Sequence, residues 1–370
     1  MDPALKISQG GKLETSSKIK LTAENLTEVY TPGVAKVSEA IAENKERAYD
    51  LTWKGRSVAI ISDGSAVLGL GNLGATPALP VMEAKAVLFK ELAEIDAVPL
   101  VLDTQDSEEI IKIVEAVAPG FGGINLEDIA APNCFSIEEK LKKSLNIPVF
   151  HDDQWGTAIV VLAGLINALK VVKKDFHSVK TIISGAGAAG IAITRLLLKY
   201  GFENIIVYDS KGPLYKGRED MNETKKEIAE KTNQEMFKGE MKESLTGADI
   251  FVGVSRAGLL DQNSVETMNQ KAIVFALANP VPEIMPEEIE GGKATVIATG
   301  RSDYPNQINN ALVFPGIFKG VLMKRTLLIT DENKINIAKN LASLIKNPTQ
   351  FEIIPKVMDS RVVKTVAGCF

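Results

Sequence analysis

The 370-residue chain is poor in cysteine, in blocks of positive charge and in long apolar runs. Its two cysteines, Cys134 and Cys369, are too few and too far apart for a disulfide framework or a zinc site, which points to a reducing compartment. Its 42 basic and 47 acidic residues leave a net charge of −5 with no Lys/Arg block, which argues against a nucleic-acid partner. The N-terminal "MDPALKISQGGKLETSSKIK" has no apolar core of the signal-peptide kind. No apolar run approaches the roughly 20 residues of a membrane helix. These absences predict a cytoplasmic protein without a membrane partner, and the length predicts two domains.

What is present is strand–helix alternation. "SVAIIS" (57–62) reads as a buried strand and 78–95 as a helix, apolar at Leu79, Met82, Ala86, Phe89 and Leu92–Ala93. Strand "AVPLVLD", helix "SEEIIKIVEAVAP", strand "GGINLED", helix "SIEEKLKKSL" and strand "IPVFHD" follow. Short apolar strands separated by amphipathic helices predict βαβ units and a mainly parallel sheet. The stretch 156–172 is apolar nearly all round and predicts a helix buried between layers. The alternation then restarts at "VKTIISGAGAAG". The fold class is α/β in two domains: an N-terminal substrate and metal domain over 1–155, and a C-terminal Rossmann-like domain over 156–370.

In a parallel sheet, ligands bind beyond the carboxyl ends of the strands. Three strands end in acid: Asp103, Glu127–Asp128 and Asp152–Asp153. Asp103 precedes a helix and reads as a turn or cap. Two adjacent carboxylate pairs on neighbouring strand ends repel unless a cation holds them, and an all-oxygen site suits Mg²⁺ or Mn²⁺. Helix capping and surface turns are the competing account. His151 reads as a packed, hydrogen-bonded residue rather than a ligand.

Gly185, Gly187 and Gly190 stand in G-x-G-x-x-G spacing between a strand and a helix, with Asp209 at the end of the next strand, which is the dinucleotide fingerprint. Asp209 favours NAD through the adenosine ribose. Lys211, Lys216 and Arg218 stand ready for a 2′-phosphate, so NADP stays open. Gly69, Gly71 and Gly74 share the spacing, but Pro77 and Pro80 follow where a helix should begin, so this stretch reads as a substrate-side loop. A nicotinamide beside a hard cation suits oxidation of a 2-hydroxy acid, with enolate stabilisation if CO₂ leaves. That chemistry needs a base and an acid. Lys85, in an otherwise apolar helix, and Tyr30, in "VYTPGVA", are the candidates. A lysine serves as base when burial or charge lowers its pKa. Alone, Lys85 reads as a snorkelling surface lysine and Tyr30 as an aromatic before a turn. Asn279 closes an apolar strand, at an edge where ligands sit, and Asn-Pro is equally a turn signal.

Together "YTPGVA", "DGSAVLGLGNLG", "INLEDI", "FHDDQ" before "GTAI", "GAGAAG", "FALANPVPEI" and "IATGRSDYPNQINNALVFPGIFKG" resemble the short, bacterial-type malic enzymes, in order from about residue 20 to about 325. The resemblance implies oxidative decarboxylation of L-malate to pyruvate and CO₂ with Mg²⁺ or Mn²⁺ and NAD(P)⁺. It implies Tyr30 as proton donor, Lys85 as proton acceptor, and Glu127, Asp128 and Asp153 as metal ligands with Asp152 beside them. It assigns the cofactor to Gly185, Ala186, Gly187, Ala188, Ala189, Gly190, Asp209, Ser255 and Asn279. Substrate falls to Gly71, Asn72, Asn279, Asn309 and Asn310. A homodimer with active sites near the subunit contact is implied too. Three positions depart from the pattern: Trp155, where His or Gln is usual; Ala84, where Gly is expected before Lys85; and Arg256–Ala257 in "GVSRAG". An oxaloacetate decarboxylase and a catalytically impaired nucleotide-binding regulator are the alternative readings.

Overall fold

The computed structural model describes residues 2–370. Two sheets carry the chain. The first holds β1 (Ser57–Ser62), β2 (Asp96–Val101), β3 (Gly123–Leu126) and β4 (Val149–His151) in the order β2-β1-β3-β4, all parallel. The second holds β5 (Lys180–Ser184), β6 (Asn204–Asp209), β7 (Gly212–Pro213), β8 (Ile250–Gly253), β9 (Ala272–Ala276) and β10 (Ala294–Thr299), ordered β10-β9-β8-β5-β6-β7. Only β7 runs antiparallel in it, folding back on β6. Strands such as β1 and β9 are buried along their whole length, which is why their sequences are apolar runs rather than alternations.

Register sets the level at which the acidic pairs leave the first sheet. Leu126 pairs with His151, so Glu127–Asp128 and Asp152–Asp153 emerge side by side at the carboxyl edge. The helix Ala75–Ala93 packs over β1 and β2 and brings Lys85 to the same edge. In the second sheet Ser184 pairs with Tyr208, which sets Gly185 beside Asp209.

The helix Asp152–Val172 joins the two units. It starts four residues before the apolar stretch that announces it, so Asp152 and Asp153 form its first turn and His151 is its N-cap, accepting from the Gln154 N–H at Nδ1. Carboxylates are favoured there by the helix dipole, so capping, the competing account, is part of why they stand together. The helix has no polar face because its neighbours surround it: the helices Ala188–Tyr200 and Asp331–Ser343 on one side and the loop at Asn310 on another. Over its 21 residues it is long and apolar enough to cross a membrane, contrary to the sequence reading, yet most of it is buried inside the fold. Asn167 is satisfied within the core by the carbonyls of Ala342 and Ile353, at 2.8 and 2.9 Å.

One core crosses the boundary. Phe89 stacks on Phe314 and Phe318 at 4.8 and 5.4 Å, and Phe150 meets Phe318 at 6.2 Å. The helix Phe314–Lys324, late in the chain, therefore seals the first sheet's helix layer. Truncating a buried phenylalanine of this kind costs about 3–5 kcal/mol. One local expectation shifts and one narrows from turn or cap to turn. The Lys85 helix begins at Ala75, with Pro77 in its first turn and Pro80 inside it. Asp103 is an exposed bend residue, and the cap of the next helix is Asp106, which accepts from the Glu109 N–H at 2.9 Å.

Candidate active site

The facing edges of the two sheets enclose a cleft. Lys85, Glu127, Asp128 and Asp153 line it from the first sheet, and Gly187, Ala188, Ala189, Ser255, Asn279, Asn309 and Asn310 from the second. Glu127, Asp128 and Asp153 each offer a carboxylate oxygen, all within 4.8 Å of one another. Asp128 adopts a left-handed backbone, φ +52°, and its N–H donates to Asp153 Oδ2 at 2.7 Å, which locks the two acids together. Glu127 is steadied by the Asn125 amide at 3.0 Å. Asp128 Oδ2 is buried with no hydrogen-bond partner.

Burial and mutual repulsion push these carboxyls up: Glu127 to about 7, Asp128 to about 9 and Asp153 to about 6. Burial is the largest cause for each, and the Asp153 charge is the next for Glu127 and Asp128. Three oxygens converging on one point, with an orphaned acceptor among them, fit a hard divalent cation.

Lys85 is 6% exposed and donates to Asp152, with Glu127 Oε2 at 2.6 Å from its ammonium. The ammonium also lies 4.1 Å from the centre of the Phe314 ring. Burial alone would lower its pKa, but the charges of Asp152 and Glu127 outweigh it and hold the group protonated, the reverse of the expected lowering. Asp152 is fully buried behind Lys85, not in the cleft wall, and burial raises its carboxyl to about 7. Gly156, one turn on, makes room for it, since a Cβ there would strike the Asp152 carboxylate.

The dinucleotide side is continuous with this cleft through Ala131, Gly187 and Ser255, and runs on past Gly185 and Ala186 to Asp209, Lys225 and Arg256. Gly185 has φ +117°, and a Cβ at Gly190 would collide with the Gly185 carbonyl, so the loop closes tightly on the helix Ala188–Tyr200. Space at Gly187 is open, with nothing within 4 Å of a Cβ placed there, as a pyrophosphate approach requires. This loop and helix start fit a dinucleotide. Asp209 is not a free acceptor. Arg218 Nη2 donates to both its oxygens at 2.9 and 2.8 Å, and Lys225 Nζ reaches it at 2.6 Å. Burial would raise its pKa, but these donors hold it below the usual carboxylate range. Lys211 and Lys216 turn away to Asp220 and Glu230.

Some expected residues lie elsewhere. Gly71 and Asn72 are exposed, and Asn72 exchanges hydrogen bonds with Gln105 at 3.0 and 2.9 Å. It is Gly69 that faces the cleft, so close to the Asn279 carbonyl that a Cβ would collide with it. Tyr30 is 67% exposed and is not among the residues lining the cleft. Ala84 is among the residues lining the cleft. Asn309 is partly occupied as a cap, accepting from the Ala311 N–H at 2.9 Å.

Trp155 does not line the cleft. Its Nε1–H donates to buried Glu138 at 3.0 Å, and Lys334 lies 3.3 Å from its ring centre. Glu138 also accepts from the His151 backbone and from Lys142. His151 is fully buried and lies outside the three-carboxylate cluster, its Nε2 has no hydrogen-bond partner and stands 4.0 Å from Asp153 Oδ2, and burial lowers its imidazole to about 4.

Three contributors are not legible in the sequence, Phe314, Lys225 and Glu283, while Gly69 belongs to the loop expected on the substrate side. Glu283 is fully buried and accepts from the N–H groups of Ser255 and Ala278 at 2.9 and 3.0 Å, tying together the two loops that reach the cleft. A charged residue within the apolar–proline stretch "ANPVPEI" was its only signal.

The malic enzyme N-terminal domain family matches residues 10–142, and the malic enzyme NAD-binding domain family matches residues 155–368. The chain is 54% identical over 360 residues to the NAD-dependent malic enzyme of Geobacillus stearothermophilus, covering 96% of this chain and 75% of that one. It is 52% identical over 366 residues to the bifunctional malic/malolactic enzyme of Bacillus subtilis, covering 98% and 89%. The crystal structure of the NAD-dependent malic enzyme from Thermotoga maritima superimposes with a TM-score of 0.96 at 46% identity, covering 100% of this chain and 99% of that one.

Proposed function

The chain belongs to the malic enzyme family, and from that premise we propose that it oxidatively decarboxylates L-malate to pyruvate and CO₂ with reduction of NAD(P)⁺. The observation that carries the proposal is the single cleft in which Lys85 and three convergent carboxylates face a dinucleotide loop. Glu127, Asp128 and Asp153 would hold Mg²⁺ or Mn²⁺, which when bound would supply a Lewis acid for the oxygens of a 2-hydroxy acid. The dinucleotide, held by Gly185 to Gly190, Asp209, Ser255 and Asn279, supplies the hydride acceptor.

Lys85 takes the hydroxyl proton at Nζ. It must first lose its own, and the ionised Asp152 carboxylate, to which the ammonium already donates at Oδ2, is the neighbouring acceptor. Asn310, with Asn279, orients the substrate or nicotinamide amide at the far wall. Phe314 shields the ammonium from water on its outer side. Tyr30 protonates the enolate left by CO₂.

NAD⁺ is the preferred dinucleotide and NADP⁺ is also accepted, because Arg218 and Lys225 neutralise Asp209 and reduce its repulsion of a 2′-phosphate. The working form is a homodimer, as the family resemblance implies, acting on a small molecule in the cytoplasm. Malate-dependent reduction of NAD⁺ and NADP⁺, followed at 340 nm with and without Mn²⁺ and with pyruvate assayed as product, tests the reading. Metal-dependent loss of oxaloacetate without malate oxidation would replace it by simple decarboxylation.

A further inference from the structure

The strands β8 and β9 pair as far as Gly253 and Ala276, and the Leu277 N–H adds a last rung to the Gly253 carbonyl at 2.9 Å. Beyond that rung the chain opens into two loops, and Val254, Ser255, Leu277, Ala278 and Asn279 on them line the cleft. The N–H groups of Ser255 and Ala278 lie past the ladder, and the Glu283 side chain takes both. Its Oε1 accepts from Ser255 at 2.9 Å and its Oε2 from Ala278 at 3.0 Å. The Ser255 hydroxyl, 3.5 Å from Oε1, also lies 3.0 Å from the Ser184 hydroxyl, just before the glycine loop. The backbone sews the same loops: the Pro282 and Glu283 carbonyls accept from Gly258 and Leu260 at 3.2 and 3.0 Å.

A carboxylate is the chemistry this point requires. Two donors converge on it, and an ionised carboxylate offers only acceptors, whereas an amide would turn its NH₂ toward one of them. Burying a carboxylate costs free energy, and fully buried Glu283 is met by N–H and hydroxyl donors rather than by a cation. Gly253 admits it, since a Cβ there would stand 2.3 Å from the Glu283 carboxyl carbon. The loops it joins lie at one end of the dinucleotide's path. Ser255 lines both the cleft and the cavity that runs on to Asp209, whereas Asn279 lines only the cleft, with Lys85. We propose that Glu283 is the positioning residue for the nicotinamide half of the dinucleotide. By clasping the two loops it sets Ser255 and Asn279 before the cofactor arrives, which spares the cost of ordering them on binding. The adenosine half, along the glycine loop and Asp209, does not depend on it. The proposal rests on the reading of Ser255 and Asn279 as cofactor contacts.

The test compares two ligands that share the adenosine half. The full-length chain and its Glu283→Gln variant are titrated with NADH by fluorescence and with ADP-ribose by calorimetry. Glutamine keeps the size but leaves one of the two N–H groups facing a donor, so the Kd for NADH should rise roughly tenfold while that for ADP-ribose stays within about twofold. The KM for NAD⁺ should rise with it and the Mn²⁺-dependent melting shift should be kept. Unchanged NADH affinity, or an equal loss of both ligands, overturns the proposal. A double-mutant cycle separates positioning from general support of the fold. In a Ser255→Ala/Asn279→Ala background Glu283→Gln should weaken NADH little further, and a full additional loss overturns action through those residues. If Glu283→Gln fails to fold, Gly253→Ala, whose methyl displaces the same carboxylate, is read in the same way: selective loss of NADH supports the proposal and equal loss overturns it. If the Ser255→Ala/Asn279→Ala chain binds NADH as the wild type does, the reading of those residues as cofactor contacts fails, and the role of Glu283 with it. If that chain loses NADH and Glu283→Gln does not, only the role of Glu283 fails.

Discussion

Replacing Lys85 by Met probes structure and chemistry together. Methionine keeps most of the buried stem but removes the charge. Asp152, fully buried, and Glu127, 4% exposed, then face each other without their shared cation. Removing one partner of a buried pair costs about 3–5 kcal/mol. The ammonium's contact with Phe314, at 4.1 Å, adds up to about 2 kcal/mol because the site is desolvated.

The carboxyls at Asp152 and Glu127 sit near 7 even with Lys85 present, above the ordinary carboxylate value. Losing the lysine raises them further. A group whose pKa is higher folded than unfolded contributes stability at low pH that is lost as pH rises through the folded value. The penalty should therefore approach about 5 kcal/mol at pH 8.5 and shrink to about 2 kcal/mol or less at pH 5.5, where both acids take protons. Urea unfolding of metal-free wild-type, Lys85→Met and Lys85→Met/Asp152→Asn chains at the two pH values measures it. The double variant should recover most of the stability and none of the activity, since kcat should stay down by roughly 10²–10⁴. An Lys85→Met chain with the wild-type midpoint at pH 8.5 would refute the buried pair, and one with wild-type kcat would remove Lys85 from the chemistry.

Metal-free protein should grow less stable as pH climbs from about 4 to 9, because Glu127, Asp128 and Asp153 hold protons more tightly folded than unfolded. Mn²⁺ should raise the melting temperature more at pH 8 than at pH 5.5, and equal shifts would count against this carboxylate site. Asp153→Ala and Glu127→Gln should abolish malate oxidation and the Mn²⁺-dependent shift without unfolding the chain. Retained activity after chelation would exclude the metal. Asp209→Ser frees Arg218 and Lys225 for a 2′-phosphate and should move the ratio of kcat/KM values toward NADP⁺ by roughly tenfold or more, one charge-assisted contact being worth about 1.4 kcal/mol or above. An unmoved ratio would show that Arg256 or another part of the cavity sets the choice. Trp155→Phe keeps an aromatic ring beside Lys334 but takes a donor from Glu138, and should cost about 1.5–3 kcal/mol in denaturant unfolding with kcat changed little. A large fall in kcat at unchanged stability would instead tie Trp155 to the cleft.

Local chemistry made much of the protein legible. The βαβ alternation, the Gly185–Gly187–Gly190 turn and the acids at strand ends follow from short-range rules, so the dinucleotide loop and the pairs Glu127–Asp128 and Asp152–Asp153 are legible from residue order and spacing, whereas which three of the four carboxylates converge is set by the fold. Partnership could not be read that way. Lys85 with Asp152 is a contact across 67 residues, and it reverses the expected pKa direction of Lys85. Asp209 reads as a ribose acceptor until Lys225, a turn into a later helix, folds back on it. In the glycine loop all three glycines look alike in sequence, and only the approach of Asn279 from the other sheet singles out Gly69 over Gly71. Trp155 looked like an intruder because its partner Glu138 lies on a different helix. Tyr30 belongs to the motif "YTPGVA", yet it stands exposed outside the cleft. Spacing along a chain determines turns, caps and periodic faces, because those interactions span a few residues. Charge pairing, desolvation and the closing of a cleft depend on which distant segments meet, and that is decided by packing in three dimensions.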